Sequence, residues 1–337
     1  MTKARTNASA TPAVGRNMVI NGGMNISQRA VSSTGLGANA DTYFTIDRFK
    51  LNPAATAGRL TMTQTADGPN GISANCLKLD CTTADSSIAA GEALILSTYL
   101  EGQNVQRLGK GIAGAKQSVI SFYVKASSSL TFAIELFDGD NARHIVKLFT
   151  ATTGWNRIEF NIPADEDDGS SALDDDNAAS LYINFWLHGG STFTGGTLAT
   201  AWANKTNNNT RAAGIDSFFS NTANNFFLTG LQFEVGPVAS EFEQEDIGVT
   251  LAKCQRYYVE SGLVLSNDNT DRYFNKIQLP VEMRAKPTIA VGAYDSGNSG
   301  AMVSSYDDSG TNSRLSFYQG TAHSTIASGW FSFDAEL

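Results

Sequence analysis

Apolar residues along this chain recur mainly with a period of two, the spacing of strands that bury one face. Met18, Ile20, Met24 and Ile26 mark a first strand over residues 17–29, bent at Asn21-Gly22-Gly23, and residues 30–41 read as a loop of small residues. Further strands are predicted at Leu60-Met62, Leu77-Leu79-Cys81, Leu94-Leu96, Ile120-Phe122-Val124, Leu130-Phe132-Ile134-Leu136, Ile158-Phe160-Ile162 and Leu181-Ile183-Phe185-Leu187. The series closes with Phe227, Leu231, Phe233 and Val235 on one face and Gln232 and Glu234 on the other. Gly236-Pro237 stops that strand, because proline brings no N–H to the ladder.

The period then changes. Ile247, Leu251, Cys254 and Tyr258 predict a helix of roughly three to four turns with a single apolar seam. Strands return at Ile277–Met283, Ile289-Val291, Leu315-Phe317 and Phe331-Phe333. The expected fold is all-β: an antiparallel jelly-roll or β-sandwich domain over 15–245, a short linking helix over 246–261 and a smaller C-terminal β-sandwich domain over 262–337.

Two stretches break the rhythm, an acidic loop at Asp165–Asn177 and a glycine- and asparagine-rich one from Gly189 to about Asn225. Loops of this length are usually functional or disordered. Residues 1–14 carry no core-forming pattern and read either as a solvated tail or as a docking arm that orders on a partner. They also lack the apolar core of a signal peptide. The net charge of −9, with no cluster of Lys and Arg, argues against phosphate-driven binding of nucleic acid. No apolar run reaches the roughly 20 residues of a membrane span, so no membrane insertion is expected. The three cysteines, Cys76, Cys81 and Cys254, read as small buried residues, in keeping with assembly in a reducing cytoplasm.

A resemblance covers roughly residues 15–260. The segments GRNMVINGGMNISQR (15–29), YFTIDRF (43–49), GEALILSTYLEGQNVQRL (91–108), SVISFYVKA (118–126), GWNRIEFNIP (154–163) and LTGLQFEVG (228–236), then a helix ending CQRYY (254–258), resemble in order and spacing a family of bacteriophage virion proteins. These are tail-fibre or receptor-binding proteins with a carbohydrate-binding-module-like sandwich. Ser240-Glu241 departs from the family's usual Thr-Pro, which loosens the turn before the helix. The resemblance implies a tail-fibre or head-fibre-like appendage that attaches the particle to a host-surface glycan. It also implies a homotrimer, with Ile247, Leu251, Cys254 and Tyr258 at the interface. The N-terminal arm would dock on other virion proteins. The competing readings are a capsid decoration protein and a glycan-depolymerising tail spike enzyme.

The residues themselves argue against chemistry. His144, His188 and His323 lie on separate elements, and no nucleophile, metalloprotease or nucleotide fingerprint is present, so no enzyme and no cofactor are expected. Asp165, Asp167 and Asp176 have calcium-loop offsets of 1, 3 and 12. Position 6 is Ser170 rather than glycine, and a solvated acidic loop is the simpler reading. For sugar, which stacks on aromatic rings, three platforms are candidates. Trp202 sits in a polar loop, where the alternative is that it anchors that loop. Tyr182 and Trp186 share the strand face opposite Leu181, Ile183 and Phe185. Trp155 reads as core.

Overall fold

The computed structural model describes residues 15–166, 169–265, 274–294, 302–306, 314–319 and 327–337. The expected docking arm, Asp167 and His323 lie outside them. The chain divides into two compact units, Met1–Glu245 and Asp246–Leu337.

The first unit is built from two antiparallel sheets. One has six strands in the order β1 (Ser32–Ala38), β4 (Thr56–Thr65), β5 (Cys76–Thr83), β13 (Asn225–Val235), β7 (Ser118–Ala126) and β10 (Asn156–Ile162). The other has seven: β12 (Ala203–Asn204), β9 (Arg143–Ala151), β8 (Leu130–Asp138), β11 (Ala179–Gly189), β6 (Ala93–Glu101), β3 (Lys50–Ala54) and β2 (Thr42–Tyr43). Their inner faces share one core. Phe122 of β7 meets Phe149 of β9 and Phe185 of β11 edge-on, each at 5.1 Å between centroids, and Phe226 of β13 meets Phe132 of β8 at 5.5 Å. Burying each such ring contributes about 1.5–3 kcal/mol.

Several expectations change. Residues 17–29 are not a strand. Asn21 and Met24 adopt positive φ, at 60° and 57°. The Asn21 side chain accepts from the Asn25 and Ile26 amides and donates to the Ile26 and Asp47 carbonyls, which closes a turn. This turn docks on β13: Met18 N donates to Phe233 O and Leu231 N to Gly22 O. A Cβ on Gly22 would stand 2.0 Å from that strand's Leu231 carbonyl, so only glycine fits. Residues 32–38, expected as loop, form β1, a glycine-containing edge strand.

The register of β13 also differs. Gly230 has φ +61° and sits where the pairing with β7 shifts between Thr229 and Gln232. This bulge inverts the alternation. Phe226 and Leu228 enter the core before it, and Leu231 and Phe233 after it. Phe227 faces outward, under Lys125 and beside Trp155, which is therefore outside the core.

The quoted segments at the two ends of the unit are tied together. Asn17 Oδ1 accepts from Phe233 N, and the Glu243 carboxylate accepts from the Gly15 and Asn17 amides. Ser240 donates to Glu234 through both its amide and its hydroxyl. The turn at Ser240-Glu241 is thus held rather than loosened.

In the second unit a helix spans Ile247–Gln255, capped by the Asp246 carboxylate on Gly248 N and Val249 N. Two three-stranded antiparallel sheets follow: β14 (Tyr258–Leu265), β19 (Ala327–Asp334) and β16 (Thr288–Tyr294), then β15 (Phe274–Gln278), β18 (Arg314–Gln319) and β17 (Met302–Tyr306). Val259, Leu279, Met283, Phe331 and Phe333 form its core among the described residues. The expected seam does not exist as one stripe. Ile247 is 55% exposed, Leu251 is half-buried, Cys254 is buried, and Tyr258 already belongs to β14. The helix ends a turn early because strand pairing with β19 claims Tyr258.

Candidate functional site

The sequence candidates come apart in the structure. Trp202 is half-buried. Its indole N–H donates to Pro163 O at 3.0 Å, Lys110 Nζ lies 4.8 Å from its ring, and it packs on the main core. It anchors its own loop and is not an exposed platform. Trp186 is fully buried. The segment 190–217 folds back over the outer face of the seven-stranded sheet and lays Phe193, Leu198 and Ile215 around Trp186, Ala133 and Val146. Trp186 therefore offers nothing to a ligand.

The acidic loop is not a solvated one at its start. Asp165 is buried, with Arg143 on both carboxylate oxygens at 2.6 and 2.9 Å and Lys110 at 3.0 Å. Burial works to raise its pKa, but the hydrogen bonds and charges of Arg143 and Lys110 outweigh that and hold it below the usual carboxylate range. These cations occupy the oxygens a calcium ion would need, and Asp176 is exposed with Oδ1 accepting from Ala178 N. Leu173 of the same loop is buried in the main core.

Tyr182 remains open. It lies on β11 opposite Tyr99 of β6 and Phe137 of β8. The three rings form one row, with Tyr99 and Tyr182 4.6 Å apart and Tyr182 and Phe137 5.4 Å apart. All three are half-buried. Strand spacing of about 4.8 Å makes the row roughly 10 Å long. Lys50 stands over Tyr99 at one end, and Lys205 and Arg211 over Phe137 at the other. Burial first, then Tyr99 and the charges of Asp140 and Asp138, raise the Tyr182 hydroxyl above its usual value, so it stays a neutral hydrogen-bond donor at pH 7.

Beside the rings runs a chain of polar side chains. Asn52 donates to Ser97 Oγ, Ser97 to Asn184 Oδ1, and Asn184 to Glu135 Oε2, at 2.9, 2.7 and 3.0 Å. Glu135 is fully buried and also accepts from Trp186 Nε1 and twice from Arg211, each bond at 2.8–2.9 Å, with His144 Nδ1 at 2.9 Å. Burial opposes ionisation there. The Arg211 charge and these hydrogen bonds prevail and place its pKa at about 2. Glu135 is thus a fixed anion that positions Arg211, with no proton to donate. Sequence reading missed Tyr99 and Phe137 because they face outward on strands recognised by their inward residues. The outward positions 97, 99, 135, 137, 182 and 184 were the available signal.

A second aromatic pair, Trp155 and Phe227, lies on the outer face of the six-stranded sheet. Lys125 stands over both rings, at 5.1 and 4.4 Å, and the Trp155 indole is committed to Asp67 O. The Tyr99–Tyr182–Phe137 row is longer, and no cation stands over its central ring among the described residues.

Fold and site together define an antiparallel two-sheet β-sandwich with an aromatic row across one outer face. No known family profile matches the sequence, and no curated protein matches it. Solved structures similar to this chain include the enzymatically active domain of tailspike protein 4 of bacteriophage CBA120, at 11% identity and TM-score 0.33, over 66% of this chain and 22% of that one. Another is the carbohydrate-binding module TmCBM61 in complex with β-1,4-galactotriose, at 10% identity and TM-score 0.30, over 66% of this chain and 99% of that one. A third is the family 11 carbohydrate-binding module of Clostridium thermocellum in complex with a β-1,3-1,4-mixed-linked tetrasaccharide, at 14% identity and TM-score 0.28, over 63% and 99%. The fold class itself rests on the chain's own two sheets.

Proposed function

We propose that the first unit binds a glycan chain across the outer face of its seven-stranded sheet and that its work is attachment without chemistry. The observation that carries this reading is the Tyr99–Tyr182–Phe137 row. Pyranose rings have apolar faces that lie flat on aromatic rings, and their edges carry hydroxyls that need hydrogen-bond partners. A row of rings bordered by Asn52, Lys50 and Arg211 supplies both. A hydrolase would need a second carboxyl positioned about 5–9.5 Å from the first and a proton to give. Glu135, beside the row, has been committed to Arg211 and cannot serve as that acid. Incubation with host-surface polysaccharide tests the reading: retention of intact polymer supports it, and release of oligosaccharide overturns it in favour of a spike enzyme.

The wider setting in our reading is a bacteriophage virion, where the chain is a tail-fibre or head-fibre-like appendage assembled in the host cytoplasm and directed at a host-surface glycan. The ordered segments from 15 to 258 support it. Residues 1–14 would dock the appendage on other virion proteins, and a truncated chain that still joins particles would contradict that role. The appendage would be a homotrimer, using exposed apolar residues of the second unit: Ile247 from the expected seam, together with Val249 and Trp330. Light scattering near 36 kDa, the mass of a single chain, would contradict the trimer. Labelled electron microscopy that places the chain on the capsid, together with absent glycan binding, would favour a decoration protein.

A further inference from the structure

We propose that Asp85, Glu92 and His188 form a site for a first-row divalent metal ion, Zn2+ foremost, at the root of the segment that covers Trp186. This site does not depend on the glycan reading. Asp85 follows β5 and Glu92 precedes β6, so one connection carries both carboxylates, while His188 sits at the end of β11. One ligand atom from each lies within 4.8 Å of the other two. The residues are 4%, 5% and 0% exposed.

Two observations point to a cation. The first is charge. Asp85 is held by Thr56 Oγ1, Ala57 N and Ser87 N, and its carboxyl group also meets that of Glu92, whose ion-pair partner is His188. Among the described residues no Lys or Arg pairs with either carboxylate. Two buried carboxyl groups that meet each other and one imidazole need compensating positive charge, because burial strongly disfavours uncompensated anions, and a shared proton would offset only one of them. A divalent ion compensates both.

The second is spacing. His188 Nε2 and Glu92 Oε2 are 3.4 Å apart, long for a hydrogen bond. Two donors each about 2.0–2.1 Å from a tetrahedral Zn2+ stand ~3.4 Å apart. The far nitrogen, Nδ1, lies 2.7 Å from Ser217 Oγ. When Nδ1–H donates to that hydroxyl, the Nε2 lone pair is directed at the carboxylates, the outer support that metal-binding histidines use. One imidazole with two carboxylates favours Zn2+ over Ca2+, which takes oxygen ligands.

The placement gives the ion a task. His188 stands just before the covering segment and Ser217 closes it, while Gly190 N donates to Glu92 O and Asp85 N to Phe219 O. An ion here fastens both ends of the segment to the β5–β6 connection, and so holds the cover over Trp186 and Arg211 against Glu135.

The test uses the untagged full chain, stripped with chelator, then given ZnCl2, MnCl2 or CaCl2 separately and desalted. Elemental analysis of the desalted chain should find one Zn2+ per chain, and with free Zn2+ restored to a hundredfold excess over Kd the melting temperature should rise by ~5 °C or more. His188→Gln and Glu92→Gln should each lose the bound ion and the rise. Ser217→Ala, outside the ligand set, should weaken Zn2+ affinity about tenfold. If the ligand variants fail to fold, the visible absorption of the Co2+-loaded wild-type chain decides: a tetrahedral nitrogen–oxygen spectrum supports the site, and an aqueous Co2+ spectrum overturns it. Failure of the wild-type chain to retain Zn2+, a rise with Ca2+ alone, or undiminished Zn2+ in both ligand variants would also overturn it.

Discussion

Tyr182 and Trp186 stand four residues apart on the same face of β11, and their surroundings are opposite. Trp186 lies beneath Phe193, Leu198 and Ile215, its N–H bonded to Glu135 and its ring under Arg211 at 4.8 Å. Tyr182 is only half-buried, set between Tyr99 and Phe137. One end of this sheet face has become a second small core, and the other end has been left as a surface. Strand periodicity says which face a residue occupies. What covers that face is decided by another segment, and here Arg211 joins the two halves by reaching Glu135 from the cover while standing over Phe137.

The comparison breaks most visibly at Trp186. Trp186→Ala removes a fully buried side chain and should cost about 3–5 kcal/mol, read by urea unfolding, with faster proteolysis in 190–217. A cost below about 1 kcal/mol would mean that the cover does not seal this half.

Glu135 sharpens the comparison through pH. Its folded pKa, about 2, lies below the ordinary 4.5. The stabilisation it brings is therefore complete above about pH 4.5 and is lost as pH falls through about 2, an effect of roughly 3 kcal/mol. Glu135→Gln should be less stable at pH 7, and the gap from wild type should narrow at pH 3. An equal gap at both values would contradict the role assigned to this carboxylate.

At the small end, Trp202→Phe loses one hydrogen bond, to Pro163 O, and should cost about 1 kcal/mol without affecting glycan binding. Weakened binding in this variant would restore Trp202 as a platform.

Most strands of the sandwich were legible because their inner residues alternate against water, as in Ile120-Phe122-Val124 and Leu181–Leu187. The failures have identifiable causes. At β9, His144, Val146 and Leu148 face the covering segment, so the strand is enclosed on both sides and its alternation disappears. At β13 the bulge at Gly230 inverts the parity of Phe227, and a single glycine does not announce that shift. The 17–29 segment has strand-like apolar spacing, but the Asn21 side chain closes a turn that pattern alone does not register. Of the candidate site, Tyr182 was legible as an outward aromatic. Its partners were not, because the contact with Tyr99 and Phe137 depends on strand order, β6-β11-β8, which composition does not encode. Leu173 and Asp165 were hidden in an acidic run whose average character is that of solvent-exposed loop.

The central claim is that Tyr182 is the middle of a glycan-binding surface, and calorimetric titration of the full chain with host-surface polysaccharide tests it most directly. The account predicts that wild type and Trp202→Phe bind alike, while Tyr182→Ala, still folded, binds at least about tenfold more weakly, a loss of ~1.4 kcal/mol. Equal binding by Tyr182→Ala and wild type would contradict it.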